Sequence, residues 1–290
     1  MHIQGVIPAL LTPFSRHGLE VDFEALEQQV NFLLPSGVHG LLILGTTSEG
    51  PSLSLQEKKQ VIDFVGPRKG NTFLLCGTST SSLTEALELS QHAHQKGAQG
   101  LLLLPPFYFK EVSAEGLLAF FRPLFQRVSL PMILYNIPQL SGVEIQDPLI
   151  EGLSSFKNLY GVKDTSGQLQ KTLHYLKRFP SLKVYCGADW LIGPALSHGA
   201  AGSISALANV FPEQAVALFE AHEKGGDTAS AQATIEAVWN IVKVYPLQSA
   251  LKFLLHLRGL KETFVRPPLR ELTTEEKQAL EKQVKGLGLI

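Results

Sequence analysis

The chain has little cysteine: Cys76 and Cys186 are the only two in 290 residues. Each closes an apolar run, TFLLC and LKVYC, so both read as buried thiols, and a disulfide framework of the kind that staples small secreted domains is excluded. A reducing cytoplasm is the compartment this predicts. Long apolar runs are missing too. None approaches the roughly 18 uninterrupted residues that a membrane-crossing helix needs, and the apolar opening MHIQGVIPALLTPF carries Pro8 and Pro13 and no basic segment. Neither export nor membrane insertion is expected. An excess of one charge is also lacking: a formal net charge of -1, with charged residues at 18%, leaves no broad field to attract nucleic acid. Hydrophobic residues at 44% exclude disorder. The expected partner is a small molecule. No G-x-G-x-x-G follows the first apolar run, which weighs against a dinucleotide-binding fold.

What is present is an alternation. Short β-type runs occur as GVIPALL near Ile7, GLLIL at 40–44, TFLLC at 72–76, GLLLL at 100–104, PMILY at 131–135, LYGVK at 159–163, LKVYC at 182–186 and AGSIS at 201–205. Between them lie stretches such as DFEALEQQVNFLL, SLQEKKQVIDFV, SLTEALELSQHAHQK and AEGLLAFFRPLFQRV, whose apolar residues recur at helical spacing. Ser54 with Glu57 three residues later forms a capping-box pattern, and Gly37, Gly97 and Gly199 stand where helices stop. Strands that are nearly continuous in apolar character, separated by helices, imply a parallel sheet buried on both faces. Eight such units predict an α/β fold, a (β/α)8 TIM barrel, which typically takes about 250 residues. After about residue 225 the strands stop. Three helix-like stretches follow, divided by Pro246 and by RPPLR at 266–270, so a barrel domain over 1–225 and a C-terminal three-helix extension over 226–290 are expected.

In such a barrel the chemistry sits at the C-terminal ends of the strands. Those ends read GTTSEG, CGTSTSS, PPFYF, YNIP, KDTSG and CGADW. Each polar residue there has an ordinary explanation: Lys163 as a snorkelling lysine, Tyr135 as a core ring with an outward hydroxyl, Thr46 and Thr47 as turn residues. Together they suggest something else. A desolvated, neutral lysine amine attacks carbonyls to form a Schiff base. The carbinolamine that precedes the imine needs a proton moved on and off its oxygen, for which Tyr135 and Thr46 are candidates. Backbone N–H groups of a turn such as Gly45-Thr46-Thr47 can hold a carboxylate without adding a positive charge beside the amine.

At these residues the sequence resembles the dihydrodipicolinate synthase / N-acetylneuraminate lyase family of class I, pyruvate-dependent aldolases, and the resemblance runs through the whole chain. GTTSEG resembles the family's G-T/S-T-G-E turn, ILYNIP its tyrosine strand, GVKDTSG its Schiff-base lysine strand and GSISALAN the segment that closes the pocket. The resemblance implies that Lys163 forms the imine and Tyr135 is the acid/base. It makes Thr46 a relay between Tyr135 and Tyr108, the latter reaching across from a neighbouring subunit. Thr47 is implied to bind the carboxylate, with Gly187 and Ile204 shaping the pocket. A homodimer or homotetramer is implied, and no metal or dissociable cofactor, since the imine forms on the substrate itself. His92 and His94, two apart on a helix, point away from each other and cannot chelate one ion together.

Two departures from the family pattern matter. Ser48 stands where the turn usually carries glycine, so the backbone there must accept a side chain. Leu140, in YNIPQLSG, occupies the position where the synthases carry an arginine that receives the second substrate's carboxylate, so a bidentate anion clamp is lost. Thr165 and Asp189 match residues that contact sugar hydroxyls in the lyases and 2-keto-3-deoxy sugar acid aldolases, while Trp190 replaces the acidic neighbour that sialic acid lyases carry. Thr165 also has an alternative reading as a helix cap, and Asp189 as a solvated helix N-terminal residue. The expected reaction is reversible aldol cleavage of a 2-keto-3-deoxy sugar acid to pyruvate and a hydroxyaldehyde. The alternatives are 4-hydroxytetrahydrodipicolinate synthesis from pyruvate and aspartate semialdehyde, a related sugar-acid dehydratase, or a non-catalytic binding protein on the same fold.

Overall fold

The computed structural model describes residues 3–78 and 80–290. Each of the eight apolar runs forms a strand: β1 (Gly5–Pro8), β2 (Gly40–Ile43), β3 (Phe73–Gly77), β4 (Gly100–Leu103), β5 (Met132–Asn136), β6 (Leu159–Asp164), β7 (Lys183–Cys186) and β8 (Gly202–Ser205). All are parallel, each hydrogen-bonded to its sequence neighbours, and β8 pairs with β1 through Gly5↔Gly202 and Ile7↔Ile204. A bridge between Ala9 and Leu42, with Leu10 N donating to Leu42 O at 2.8 Å, brings β1 against β2 and completes the (β/α)8 barrel.

Side chains alternate across each strand and so fill two separate spaces. Ile7, Leu42, Leu75, Leu102, Ile133 and Ile204 point inward and fill the barrel axis with Tyr135 and Tyr185. The other face of each strand packs beneath the helices, for example Val162 of β6 and Leu134 of β5. The N-terminal end of the barrel is tied shut, because the Tyr185 hydroxyl donates to Ile3 O at 2.6 Å and Ile3 N donates to the Tyr160 hydroxyl at 3.0 Å. Only the opposite end is left for chemistry.

The helices begin and end where local chemistry predicts. Glu57 N donates to Ser54 Oγ at 3.2 Å and Ser54 N to Glu57 Oε2 at 2.8 Å, completing the capping box of helix Leu55–Val65. Gly37, Gly97 and Gly199 adopt left-handed φ of 82°, 84° and 97° after their helices. The C-terminal helices Ala229–Val242, Leu247–Leu257 and Thr274–Lys285 follow the barrel. Gln248 Nε2 donates to Thr46 O at 3.3 Å and Lys252 Nζ to Glu49 Oε1 at 2.6 Å, so this extension lies against the end of the barrel that carries the strand-end turns.

Candidate active site

The register of the sheet sets the centre of the site. Tyr135 of β5 and Tyr185 of β7 flank Lys163 of β6 as direct neighbours, all three on the inner face. Lys163 and Tyr135 are each only 4% exposed, and the lysine Nζ lies 4.2 Å from the centroid of the Tyr135 ring. Among the described residues Lys163 makes no salt bridge, so its amine is held against an aromatic face and not neutralised by a carboxylate. Thr46 Oγ1 donates to the Tyr135 hydroxyl at 3.5 Å, a long contact that brings the two hydroxyls within reach of each other.

The outward-facing residues beside these two supply the frame. Asn136 Nδ2 donates to Asp164 Oδ1 at 2.8 Å, and Ile145 N donates to Asn136 Oδ1 at 3.0 Å. Asp164 also accepts from Ser166 N at 3.1 Å, Ser166 Oγ at 3.0 Å and Thr172 Oγ1 at 2.7 Å. A buried carboxylate satisfied in this way pins the ends of β5 and β6 to each other and to helix Leu169–Arg178, fixing where Tyr135 and Lys163 point. Sequence reasoning missed this pair, although its signal lay in the polar residue that immediately follows each functional one in YN and KD.

The turn after β2 bears the strain. Leu44 and Glu49, neither of them glycine, have φ of 60° and 55°. Ser48 lies outside that region, and its side chain is put to use: Oγ donates to Leu10 O at 2.5 Å and accepts from Gly45 N at 3.2 Å. Thr47 is buried beside it at 8% exposure. Glu49 was not singled out from sequence, yet its carboxylate accepts from Lys252 Nζ at 2.6 Å and from Arg266 N at 2.9 Å. Burial pushes the Glu49 carboxyl up and the Lys252 ammonium down, and the charge of each partner opposes that shift in the other.

One level above Lys163, Thr165 and Gly187 face each other. A Cβ on Gly187 would lie 1.9 Å from Thr165 Oγ1 and 2.7 Å from Lys163 Cε, so the missing side chain is what leaves room for both. The Thr165 hydroxyl is buried and has no hydrogen-bond partner among the described residues. It does not cap the following helix, whose N-cap is Gln168. Ile204 lies on the inner wall at 1% exposure.

Two further residues proposed from sequence make contacts of their own. Asp189 is 2% exposed, not solvated, and its carboxylate accepts from Ser205 Oγ and, at 3.4 Å, from Leu207 N. Burial raises its pKa to about 6 against those hydrogen bonds and the nearby Lys163 charge. Tyr108 is 76% exposed, stacked edge-on against Phe109 at 5.2 Å.

A cavity of about 320 Å³ opens above Thr46, lined by Thr46, Leu104, Phe107, Ile137, Leu140 and Gln248 among others, with no arginine or lysine among the described residues of its lining. Leu140 is 61% exposed. Lys110 Nζ donates to Ser141 O at 2.8 Å and to Phe107 O, so a cation touches this rim while committed to backbone carbonyls. Among the described residues no three His, Cys, Asp or Glu side chains converge in a metal-binding arrangement. Both cysteines are buried and free, and burial pushes the Cys186 thiol up to about 12.

Comparison with known proteins bears on these features. The dihydrodipicolinate synthetase family matches residues 2–287. An uncharacterized DapA-like lyase of Chloroflexus aurantiacus is 40% identical over 282 residues, covering 96% of this chain and 94% of the relative. A 4-hydroxy-tetrahydrodipicolinate synthase of Methanococcoides burtonii is 33% identical, with 99% of each chain covered. Among solved structures, YagE, a prophage protein of the dihydrodipicolinic acid synthase family from E. coli K12 in complex with pyruvate, superposes with a TM-score of 0.94 at 29% identity over 99% of both chains. CdNal from Clostridium difficile, in complex with mannosamine, superposes with a TM-score of 0.93 at 25% identity, covering 99% of this chain and all of that one. The chain belongs to the dihydrodipicolinate synthetase family and is an enzyme of its class, the Schiff-base-forming, pyruvate-dependent lyases.

Proposed function

We propose that the enzyme catalyses reversible aldol cleavage of a 2-keto-3-deoxy sugar acid to pyruvate and a hydroxyaldehyde through an imine on Lys163. The neutral Nζ adds to C2 of the substrate, and Tyr135, with Thr46 as relay, moves the proton that lets the C2 oxygen leave as water. The C4 hydroxyl then gives its proton to Tyr135 while the C3–C4 electron pair flows into the imine, releasing the aldehyde and leaving an enamine. Protonation at C3 and hydrolysis of the imine release pyruvate. Thr47 and its turn hold the C1 carboxylate, Gly187 and Ile204 shape the pyruvate pocket, and Tyr108 of a second copy completes the relay in a homodimer or homotetramer. Asp189 acts on the sugar end through the Ser205–Leu207 segment that it orders. The imine is the only covalent device required, so no cofactor is assigned. Two free buried thiols support a reducing, cytoplasmic setting, and the barrel (1–225) with its helical extension (226–290) forms the subunit.

The observation that carries this reading is Thr165. A buried hydroxyl without a partner costs roughly 1–3 kcal/mol, and this one sits beside Lys163, where a substrate hydroxyl can satisfy it. A second reading, 4-hydroxytetrahydrodipicolinate synthesis, is favoured by the names of several relatives and by Lys110 at the rim. A competition between glyceraldehyde and aspartate semialdehyde for pyruvate decides between them, alongside a panel of 2-keto-3-deoxy acids scored for pyruvate release. Without an arginine clamp the semialdehyde forfeits charge-assisted hydrogen bonds of about 1.5–3 kcal/mol each, roughly 10- to 150-fold per bond. Glyceraldehyde should therefore win, Thr165→Ala should narrow its lead, and Leu140→Arg should move selectivity toward the semialdehyde. A wild-type preference for the semialdehyde that Lys110→Met abolishes would replace this reading with the synthase one.

A further inference from the structure

Three residues of the C-terminal extension and the strained turn remain unused by the chemistry above. Glu49 and Lys252 form an ion pair of 2.6 Å in which both side chains are 1% exposed. Lys252 Nζ also donates to Phe264 O at 2.6 Å, and Arg266 N donates to the second oxygen of Glu49 at 2.9 Å. Gln248, one turn before Lys252 on the same helix, sends its amide Nε2 to Thr46 O at 3.3 Å, and that carbonyl also accepts from Glu49 N at 3.0 Å. Both contacts thus converge on the peptide of the residue whose hydroxyl meets Tyr135.

A buried ion pair is a poor device for stability alone, because desolvating two charges offsets their attraction and apolar residues of similar volume serve as well or better. What it adds is direction. Glu49 sits in a left-handed conformation that a non-glycine side chain resists, three residues from Thr46. Holding it there takes contacts that specify geometry as well as burial, and Lys252, itself anchored on Phe264 O, and Arg266 provide them from more than two hundred residues away in sequence.

We propose that Glu49, Lys252 and Gln248 are positioning residues that set the Thr46 hydroxyl for the proton relay, which makes the C-terminal helices part of the active-site apparatus. The inference rests on Lys163 as the imine-forming residue but not on the identity of the aldehyde.

The test therefore uses pyruvate alone. Imine formation is timed by borohydride trapping in the wild type, Thr46→Val, the charge-free double variant Glu49→Gln/Lys252→Met, and their combination. Thr46→Val should slow the wild type by about 10²-fold, within the range for a positioned proton-transfer group. The double variant should remain folded, trap the imine at least about thirtyfold more slowly, and show less than about threefold further loss when Thr46→Val is added, since a misplaced relay has little left to lose. An equal Thr46→Val cost in both backgrounds, or a wild-type rate in the double variant, overturns the proposal and leaves the pair a mere docking contact. Should the double variant melt below the assay temperature, Gln248→Ala, which buries no unpaired charge, takes its place in the same cycle, with non-additivity supporting the proposal and additivity overturning it. A wild type that traps nothing on Lys163 overturns the imine assignment and this inference together; normal trapping with additive variants overturns this inference alone.

Discussion

Gly187→Ala tests the geometry around the lysine more sharply than removing the lysine does. The new Cβ would stand 1.9 Å from Thr165 Oγ1, 3.1 Å from Thr165 Cβ and 2.7 Å from Lys163 Cε. Comfortable contact needs about 3.5 Å, so the hydroxyl must retreat by roughly 1.5 Å and the lysine methylene by roughly 1 Å. Both are side-chain atoms, and the fold should lose about 1–3 kcal/mol, as other overpacked sites do. The nucleophile cannot move so freely, because a misplacement of about 1 Å costs on the order of 10²-fold in rate. We expect Gly187→Ala to melt a few degrees below wild type and to form the pyruvate imine about a hundredfold more slowly, read by timed borohydride trapping and peptide mapping. Adding Thr165→Ala removes the 1.9 Å clash and leaves the 2.7 Å one. The double variant should regain stability more than rate. A Gly187→Ala enzyme that traps the imine at the wild-type rate would refute the placement of Lys163 beneath Gly187.

Tyr135→Phe keeps the ring that faces Lys163 and deletes the proton path, so turnover should fall roughly 10²- to 10⁴-fold with an unchanged melting temperature; a loss of only a few-fold would make Tyr135 a packing residue. Lys252→Met alone strands the Glu49 carboxylate and should cost about 3–5 kcal/mol in urea unfolding, against much less for the charge-free double variant; equal costs would mean the pair is not buried as described. Asp189 binds its proton more tightly folded, with a pKa of about 6, than unfolded at 3.8, so its contribution favours folding at low pH and is lost as pH rises through that window. Between pH 5 and pH 7 wild-type stability relative to Asp189→Asn should fall by about 1 kcal/mol, and a difference that rises or stays flat over that range would contradict the burial argument.

The strands and the adjacency of Lys163 and Tyr135 were legible because both follow from short-range rules. An apolar run bounded by turn residues marks a strand, alternation puts Lys163 and Tyr135 on the same face, and a parallel register makes them neighbours. Thr46 needed one further step, since its contact with Tyr135 spans 89 residues, but a barrel brings all strand ends to one rim. The supporting contacts were hidden for the opposite reason. Lys252 reads as the polar face of an amphipathic helix until the fold buries it, and Glu49 reads as an ordinary turn residue until its partner arrives from 203 positions away. Asp189 was legible in part: a carboxylate after a strand end suggests a ligand contact, and only the folded chain reveals that Ser205 and Leu207 also donate to it. Residues that touch substrate lie at predictable places on a barrel, whereas residues that orient them come from wherever the chain happens to pass. A sequence therefore discloses the reaction class before it discloses the geometry that sets the rate.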